Sequence, residues 1–323
     1  MKKFNFNFVG NIKKYLIASG TILLIGLILA FALGIETDIN FSGGSRFTYT
    51  YEGELDLDDV QKVADKTLGK KTSVSNSESA VDAGSSKIVI SAAEVVASDE
   101  KDEEGAKKGT QVVLEEALQK EFKDNKIAFA ESNVIEPSIA HGFYAKSIVA
   151  ILISAVLVIV YIGFRFRKIG GFSAALFAWV ALIHDVIIAF LACVVFRLQI
   201  DINFVAVLLT ILGYSLNDTV IIYDRIRENR TRNRSGNLAE VVNTSINETL
   251  NRTIITTITT FVAVIVVAVV AEFFGLTALR SFAIPMAFGM ISGSYSSICL
   301  SGPLWVKWNE FSYNRKLKKE NNK

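Results

Sequence analysis

The chain has 323 residues, 51% of them hydrophobic, and its mean hydropathy is positive, which is more apolar than a soluble domain that must keep a solvated surface. Residues 36–145 carry 22 Asp and Glu against 12 Lys and Arg, which argues against a nucleic-acid or anionic-lipid surface there and leaves the rest of the chain net positive. Two cysteines, Cys193 and Cys299, both inside apolar runs, offer neither a disulfide framework nor a metal-ligand spacing and read as small apolar side chains.

The first apolar run is Tyr15–Leu33. Basic residues before it and Ala30-Phe31-Ala32 near its end also resemble a signal peptide. It is expected to be retained, because the basic clusters fit an even number of crossings.

After it the text changes character at "GIETDINFSGGSRFTYTY". Ser45–Tyr51, rich in Thr and aromatic residues, predicts a strand, and Asp56–Leu68 has apolar residues at helical spacing. Lys71–Asn76 and Lys87–Ser91 predict two further strands, and residues 94–109, acidic and small, a mobile loop. Gln111–Phe122 reads as an amphipathic helix and Ala128–Ile135 as a last strand. The order βαββαβ predicts a small ferredoxin-like α+β domain. It shows no nucleophile with a base and no phosphate loop leading into a helix; Gly43-Gly44 reads as a turn and His141 as an interfacial residue, so binding or mechanical work is expected rather than catalysis.

Four apolar runs follow at Ile148–Phe164, Phe172–Phe196, Ile254–Phe274 and Phe282–Trp305, and a further one, Ile202–Tyr223, is interrupted by Asn217 and Asp218. Each is near the ~20 residues a helix needs to cross a ~30 Å hydrocarbon layer. With six crossings, the basic clusters (Lys2, Lys3, Lys13, Lys14; Arg165, Arg167, Lys168; Arg225, Arg227, Arg230, Arg232, Arg234; and the tail from Lys307 to Lys323) all fall on one side, which predicts cytoplasmic termini. The expected organisation is residues 1–34 as cytoplasmic N-terminus and first helix, and 35–145 as the extracytoplasmic domain. Five helices over 146–306 with a cytoplasmic loop at 225–250, and a basic tail over 307–323, complete it.

Polar residues inside the membrane are the candidate site. Asp218 stands six residues before Asp224 and seventeen after Asp201, roughly 9 Å and 25 Å along a helix axis. An ionised carboxylate there costs about 2.5–3.5 kcal/mol and normally faces a bundle interior with a partner. The best partner by sequence is Arg252, with Thr256 and Thr259 or Thr260 following at helical spacing, and His184-Asp185 gives a third polar point. Such a cluster either passes a proton through bound water or merely fixes helix register, with Arg252 snorkelling to the interface. Gly289 and Gly293 form a GxxxG face and Gly213 lies one turn before Asn217, which predicts close helix packing. "NLAEVVNTSINETL", with Asn237 as N-cap and Glu240 three residues on, reads as an amphipathic helix on the cytoplasmic surface or docked against the bundle.

Five separated stretches then resemble the SecF family, the smaller of the two SecDF subunits. "INFSGGS" resembles that family's G-I-D-F-x-G-G-T after the first helix, with Ser45 for Thr; His184-Asp185 matches the third helix; "GYSLNDTVIIYDRIREN" matches the fourth, with Tyr223 for the usual Phe; "TLNRTIITTITT" and "GMISGSYSS" match the fifth and sixth. The resemblance implies half of an RND-type bundle and an accessory of Sec-dependent export across a bacterial cytoplasmic membrane. It also implies proton transport at Asp218 and Arg252, with Asn217, Thr256, Thr260, His184 and Asp185 in the relay, and no cofactor beyond the proton gradient. Implied partners are a SecD-like subunit, a SecYEG-type channel, the translocating preprotein and membrane lipid, with no nucleic acid and no enzymatic chemistry. Two other readings stay open: a proton-coupled RND-type exporter of lipids or small molecules, and a non-transporting translocon scaffold.

Overall fold

A computed structural model describes residues 5–78, 86–92, 109–233, 236–274 and 276–321. The acidic stretch 94–108 lies outside the described residues, as do Lys2, Lys3, Arg234 and Lys323 of the basic clusters.

The fold is mostly helical with one small antiparallel sheet. Helix α1 (Ile12–Leu33) ends at Gly34, whose φ of 76° is open to glycine at no steric cost, and a single turn α2 (Ile39–Ser42) leads into the α/β domain. There the elements run β1 (Gly44–Tyr51), α3 (Leu57–Leu68), β2 (Thr72–Glu78), β3 (Ser86–Ala92), α4 (Thr110–Glu121) and β4 (Ala128–Ile135). The sheet order is β2-β3-β1-β4 with every neighbour antiparallel. Alternation explains the layer: Phe47, Tyr49 and Tyr51 on β1 and Ile88 and Ile90 on β3 point to one face, where Val60 and Ala64 of α3 and Leu114 and Leu118 of α4 cover them. Each such buried apolar side chain stabilises the domain by about 1.5–3 kcal/mol. Asp56 caps α3 by accepting from the Asp58 amide, and Gly69 ends it in the left-handed region.

Pro137, at the first position of α5 (Pro137–Arg165), returns the chain to the bundle. The remaining helices are α6 (Gly171–Val195), α7 (Ile202–Arg232), α8 (Leu238–Phe273) and α9 (Thr277–Ser296). A π-helical turn at Ser297–Ser301 joins α9 to α10 (Gly302–Asn321). Among the described residues six helices, α1, α5, α6, α7, α8 and the continuous run from α9 into α10, are long and apolar enough to cross a membrane. The most enclosed are α6, α7 and α9, while α1, α5 and α8 turn broad apolar faces outward, including Leu24, Leu157 and Val262.

The connection between α7 and α8 differs from the sequence expectation. The segment 225–250, expected as a loop with a separate surface helix, is helical over 225–232 as the end of α7 and over 238–250 as the start of α8. Asn237 is indeed the N-cap, accepting from the Ala239 amide, but the helix it opens runs unbroken to Phe273. The apolar face Val242, Ile246 and Leu250 docks against the bundle with Phe8, Val9, Ile226 and Val306. Neither Gly nor Pro lies between Asn237 and Phe273 to break the helix. The basic tail is likewise helical, as α10.

Candidate functional site

Three central helices meet along α9, and the glycines there set the approach. A Cβ at Gly293 would lie 2.9 Å from Ser215 Cβ, and one at Gly289 would run into Ile211, so α7 and α9 touch along a face where only glycine fits. Gly213 does not share this role. It is exposed, nothing lies within 4 Å of where its Cβ would be, and Asn217 one turn later is exposed too. Both sit on the flank of α7 away from the buried stripe of Ile211, Ser215, Asp218 and Ile222. The expected contribution of Gly213 to packing within this chain is therefore absent.

The buried carboxylates hang from α9 by its serines. Asp185, fully buried, accepts from Ser292 Oγ at 2.6 Å on Oδ1 and from Ser215 Oγ and Ser296 Oγ, each at 2.7 Å, on Oδ2. Ser292 and Ser296 are one turn apart, so both reach the same carboxylate. His184 Nδ1 lies 3.2 Å from Asp185 Oδ1 and 3.2 Å from Ser292 Oγ, while its Nε2 is buried with no hydrogen-bond partner among the described residues. Three hydroxyl donors satisfy the buried carboxylate's acceptor oxygens.

Asp218 is also buried but more sparsely held: Ser294 Oγ donates to its Oδ2 at 3.2 Å. Ser294 is in turn joined to Thr257 of α8 through their hydroxyls. Arg252, the partner expected from sequence, is exposed on α8 and forms no ion pair with Asp218 among the described residues; its charge reaches the carboxylate only through space. Thr256 and Thr260 do not face Asp218 either. Their hydroxyls donate to carbonyls of their own helix, at Arg252 and Thr253 for Thr256 and at Thr256 for Thr260. The polar stripe of α8 that meets the bundle is instead Thr253 and Thr257, one position further round, because packing rather than spacing sets the rotation of a helix about its axis. The hydroxyl of Thr253 is buried without a partner among the described residues.

The residues that sequence reasoning missed are Ser215, Ser292, Ser294, Ser296 and Thr257. "GMISGSYSS" was legible as a glycine face, and its alternating hydroxyls were the signal available. Below them the π turn rewinds the chain so that Ser297 Oγ meets Thr219 Oγ1 at 2.8 Å and Ser301 Oγ meets the Tyr223 hydroxyl at 2.7 Å. The arrangement puts two carboxylates on separate helices, each wired to a third helix by hydroxyls that can both donate and accept.

The family model for the protein export membrane protein SecD/SecF, C-terminal, matches residues 114–311. The chain is 34% identical over 180 residues to the protein translocase subunit SecF of Alicyclobacillus acidocaldarius, an alignment covering 56% of this chain and 57% of that one. It is 32% identical over 309 residues to the protein translocase subunit SecF of Rhodothermus marinus, covering 94% of this chain and 93% of that one. A crystal structure of SecDF, a translocon-associated membrane protein from Thermus, superposes with a TM-score of 0.75 at 27% identity over 95% of this chain. The matched part is 39% of that longer chain.

Proposed function

The chain belongs to the SecD/SecF family of protein export membrane proteins, and on that premise we propose that it is the SecF-type half of a Sec export accessory in the cytoplasmic membrane of a bacterium. The missing half of the bundle is supplied by a SecD-like subunit, as the larger SecDF chain suggests. The positive-inside bias puts both termini in the cytoplasm and residues 35–145 outside, where the βαββαβ module is of the ferredoxin-like kind. The accessory works beside a Sec translocon on a preprotein already emerging on the outer side.

The driving step is proton transfer at Asp218, and the observation that carries it is that carboxylate's thin solvation: buried, with one hydroxyl donor, Ser294, among the described residues. Protonation at Oδ2 turns that oxygen from acceptor to donor, which reorients the Ser294 hydroxyl and with it its link to Thr257 on α8. Arg252 is the mobile counter-charge that approaches when Asp218 is ionised and withdraws when it is neutral. Asp185, with its three serine donors, holds α6, α7 and α9 together and passes the change between them. A membrane potential supplies about 2.3 kcal/mol per charge per 100 mV, enough for one or two protons to bias a two-state bundle. No cofactor is required beyond the proton gradient.

The test is preprotein export in cells depleted of the native chain and complemented with wild type or Asp218→Asn at matched membrane levels. The expected result is that the variant assembles with its SecD-like partner yet leaves late-stage export as slow as in depleted cells. Full, uncoupler-sensitive export by the variant refutes the proton role.

A further inference from the structure

The external domain is attached to the bundle at more than its chain termini. Between α1 and α2, residues 36–38 run alongside the connection from α6 to α7: Ile200 N donates to Glu36 O at 2.8 Å, Asp38 N donates to Ile200 O at 3.1 Å, and Thr37 pairs with Ile200 in a parallel bridge. Arg197 in the same connection donates through Nε to Glu36 Oε1 at 3.0 Å and through Nη1 to the carbonyl of Leu33, the last residue of α1, at 3.2 Å. It does so at φ 53°, a left-handed conformation that a long side chain rarely adopts unless its surroundings hold it there.

The contact continues in both directions. Outward, Asp38 is buried and its carboxylate receives the Asn40 amide and the guanidinium of Arg46, which sits on the central strand β1. Inward, Asp201 closes the connection by capping α7 through the Phe204 amide at 2.9 Å and accepting from Ser281 Oγ of α9 at 3.1 Å. One uninterrupted set of bonds thus runs from α7 and α9, which carry Asp218 and Ser294, to the middle of the external sheet.

We propose that residues 36–38 and 197–201 form a rigid joint that carries movement of the α6–α7 pair to the external domain, with Arg197 as its positioning residue. The proposal rests on the proton-driven reading above. Backbone bonds spread over consecutive residues resist sliding, and Arg197 also ties the joint to the end of α1 through the Leu33 carbonyl.

The experiment uses the full chain with its SecD-like partner, in a background carrying Cys193→Ala and Cys299→Ala. It reads preprotein export per inserted chain in cells and proton uptake in vesicles made from them. Arg197→Ala is expected to lose export, down to the depleted level, while keeping its proton uptake, a split that general misfolding does not give. Adding Thr37→Cys with Ile200→Cys, paired residues within disulfide reach, is expected to restore export under oxidising conditions and to lose it again on reduction. Wild-type export from Arg197→Ala, joint loss of export and proton uptake, or no rescue by the oxidised pair overturns the proposal. Should Arg197→Ala fail to accumulate, the cysteine pair beside native Arg197 decides: export retained on oxidation supports a rigid joint, and export blocked overturns it. Wild-type export from Asp218→Asn in the same cells refutes the proton reading alone, because the cysteine comparison reads export and still judges the joint.

Discussion

Ser292 Oγ lies 2.6 Å from Asp185 Oδ1, and this contact, with Ser296 one turn on, ties α9 to α6 through a carboxylate with no exposed surface. A buried carboxylate with three hydroxyl donors from two other helices acts as a fastening between them. Asp185→Asn replaces one carboxylate oxygen with an NH2 that accepts from no hydroxyl, so at most two of the three serines can still donate. We expect a loss of about 1–3 kcal/mol in the stability of the membrane bundle, against about 1 kcal/mol for Ser292→Ala. Thermal unfolding of the purified complex checks the ranking.

Glycine positions on α7 and α9 should differ in their tolerance of a side chain. Gly293→Val drives side-chain atoms into Ser215 and should cost about 1–3 kcal/mol by overpacking. Gly213→Ala meets open space within this chain and should stay within about 0.5 kcal/mol of wild type. Unfolding midpoints of the two variants measured side by side decide this.

Arg252 separates function from folding. Its side chain is exposed and unpaired with Asp218, so Arg252→Gln should leave stability within about 0.5 kcal/mol of wild type. On the proton-driven reading, export should nonetheless slow, because the ionised Asp218 then lacks its counter-charge. Membrane level and export rate measured on the same cells test both halves.

The α/β domain has a titration of its own. Burial, and after it the negative charge of Glu115, push the Tyr49 phenol up from its ordinary value, and its hydroxyl donates to Gln111 O at 2.8 Å. The folded domain therefore favours the neutral phenol. That stabilisation is complete below about pH 10, where the unfolded phenol is neutral too, and is lost progressively as pH rises above it. Tyr49→Phe should cost about 1 kcal/mol at neutral pH and blunt the alkaline loss. Proteolytic susceptibility of residues 44–135 across the pH range follows both.

Much of this fold was legible because local signals agreed. The four strands lie within about two residues of their expected bounds, since alternation of Phe47, Tyr49 and Tyr51 against polar neighbours has one physical reading. Residues 238–250 were harder. An apolar face at Val242 and Ile246 looks the same on a free amphipathic helix and on the first turns of a membrane helix. Nothing at Leu250 to Thr253 breaks the chain, and only packing against Phe8 and Val306 distinguishes the two.

At the site, a carboxylate in an apolar run announced itself, so Asp218 and Asp185 were found, and both are buried. Their partners were not, for two reasons. Spacing names the faces of α8 but not which face turns inward, so Thr256 and Thr260 were expected where Thr257 is found. The serines of α9 satisfy acids on other helices, a long-range match that no periodicity encodes. The π turn at Ser297–Ser301, which brings hydroxyls to Thr219 and Tyr223, is followed directly by Gly302-Pro303, a breaker pair whose missing N–H falls on the turn and which the sequence reading passed over.

The most direct test of the central claim is potential-driven proton uptake into vesicles holding the chain with its SecD-like partner, wild type against Asp218→Asn. The account predicts uptake by the wild type that is absent in the variant while assembly is unchanged. Equal uptake by both would contradict it.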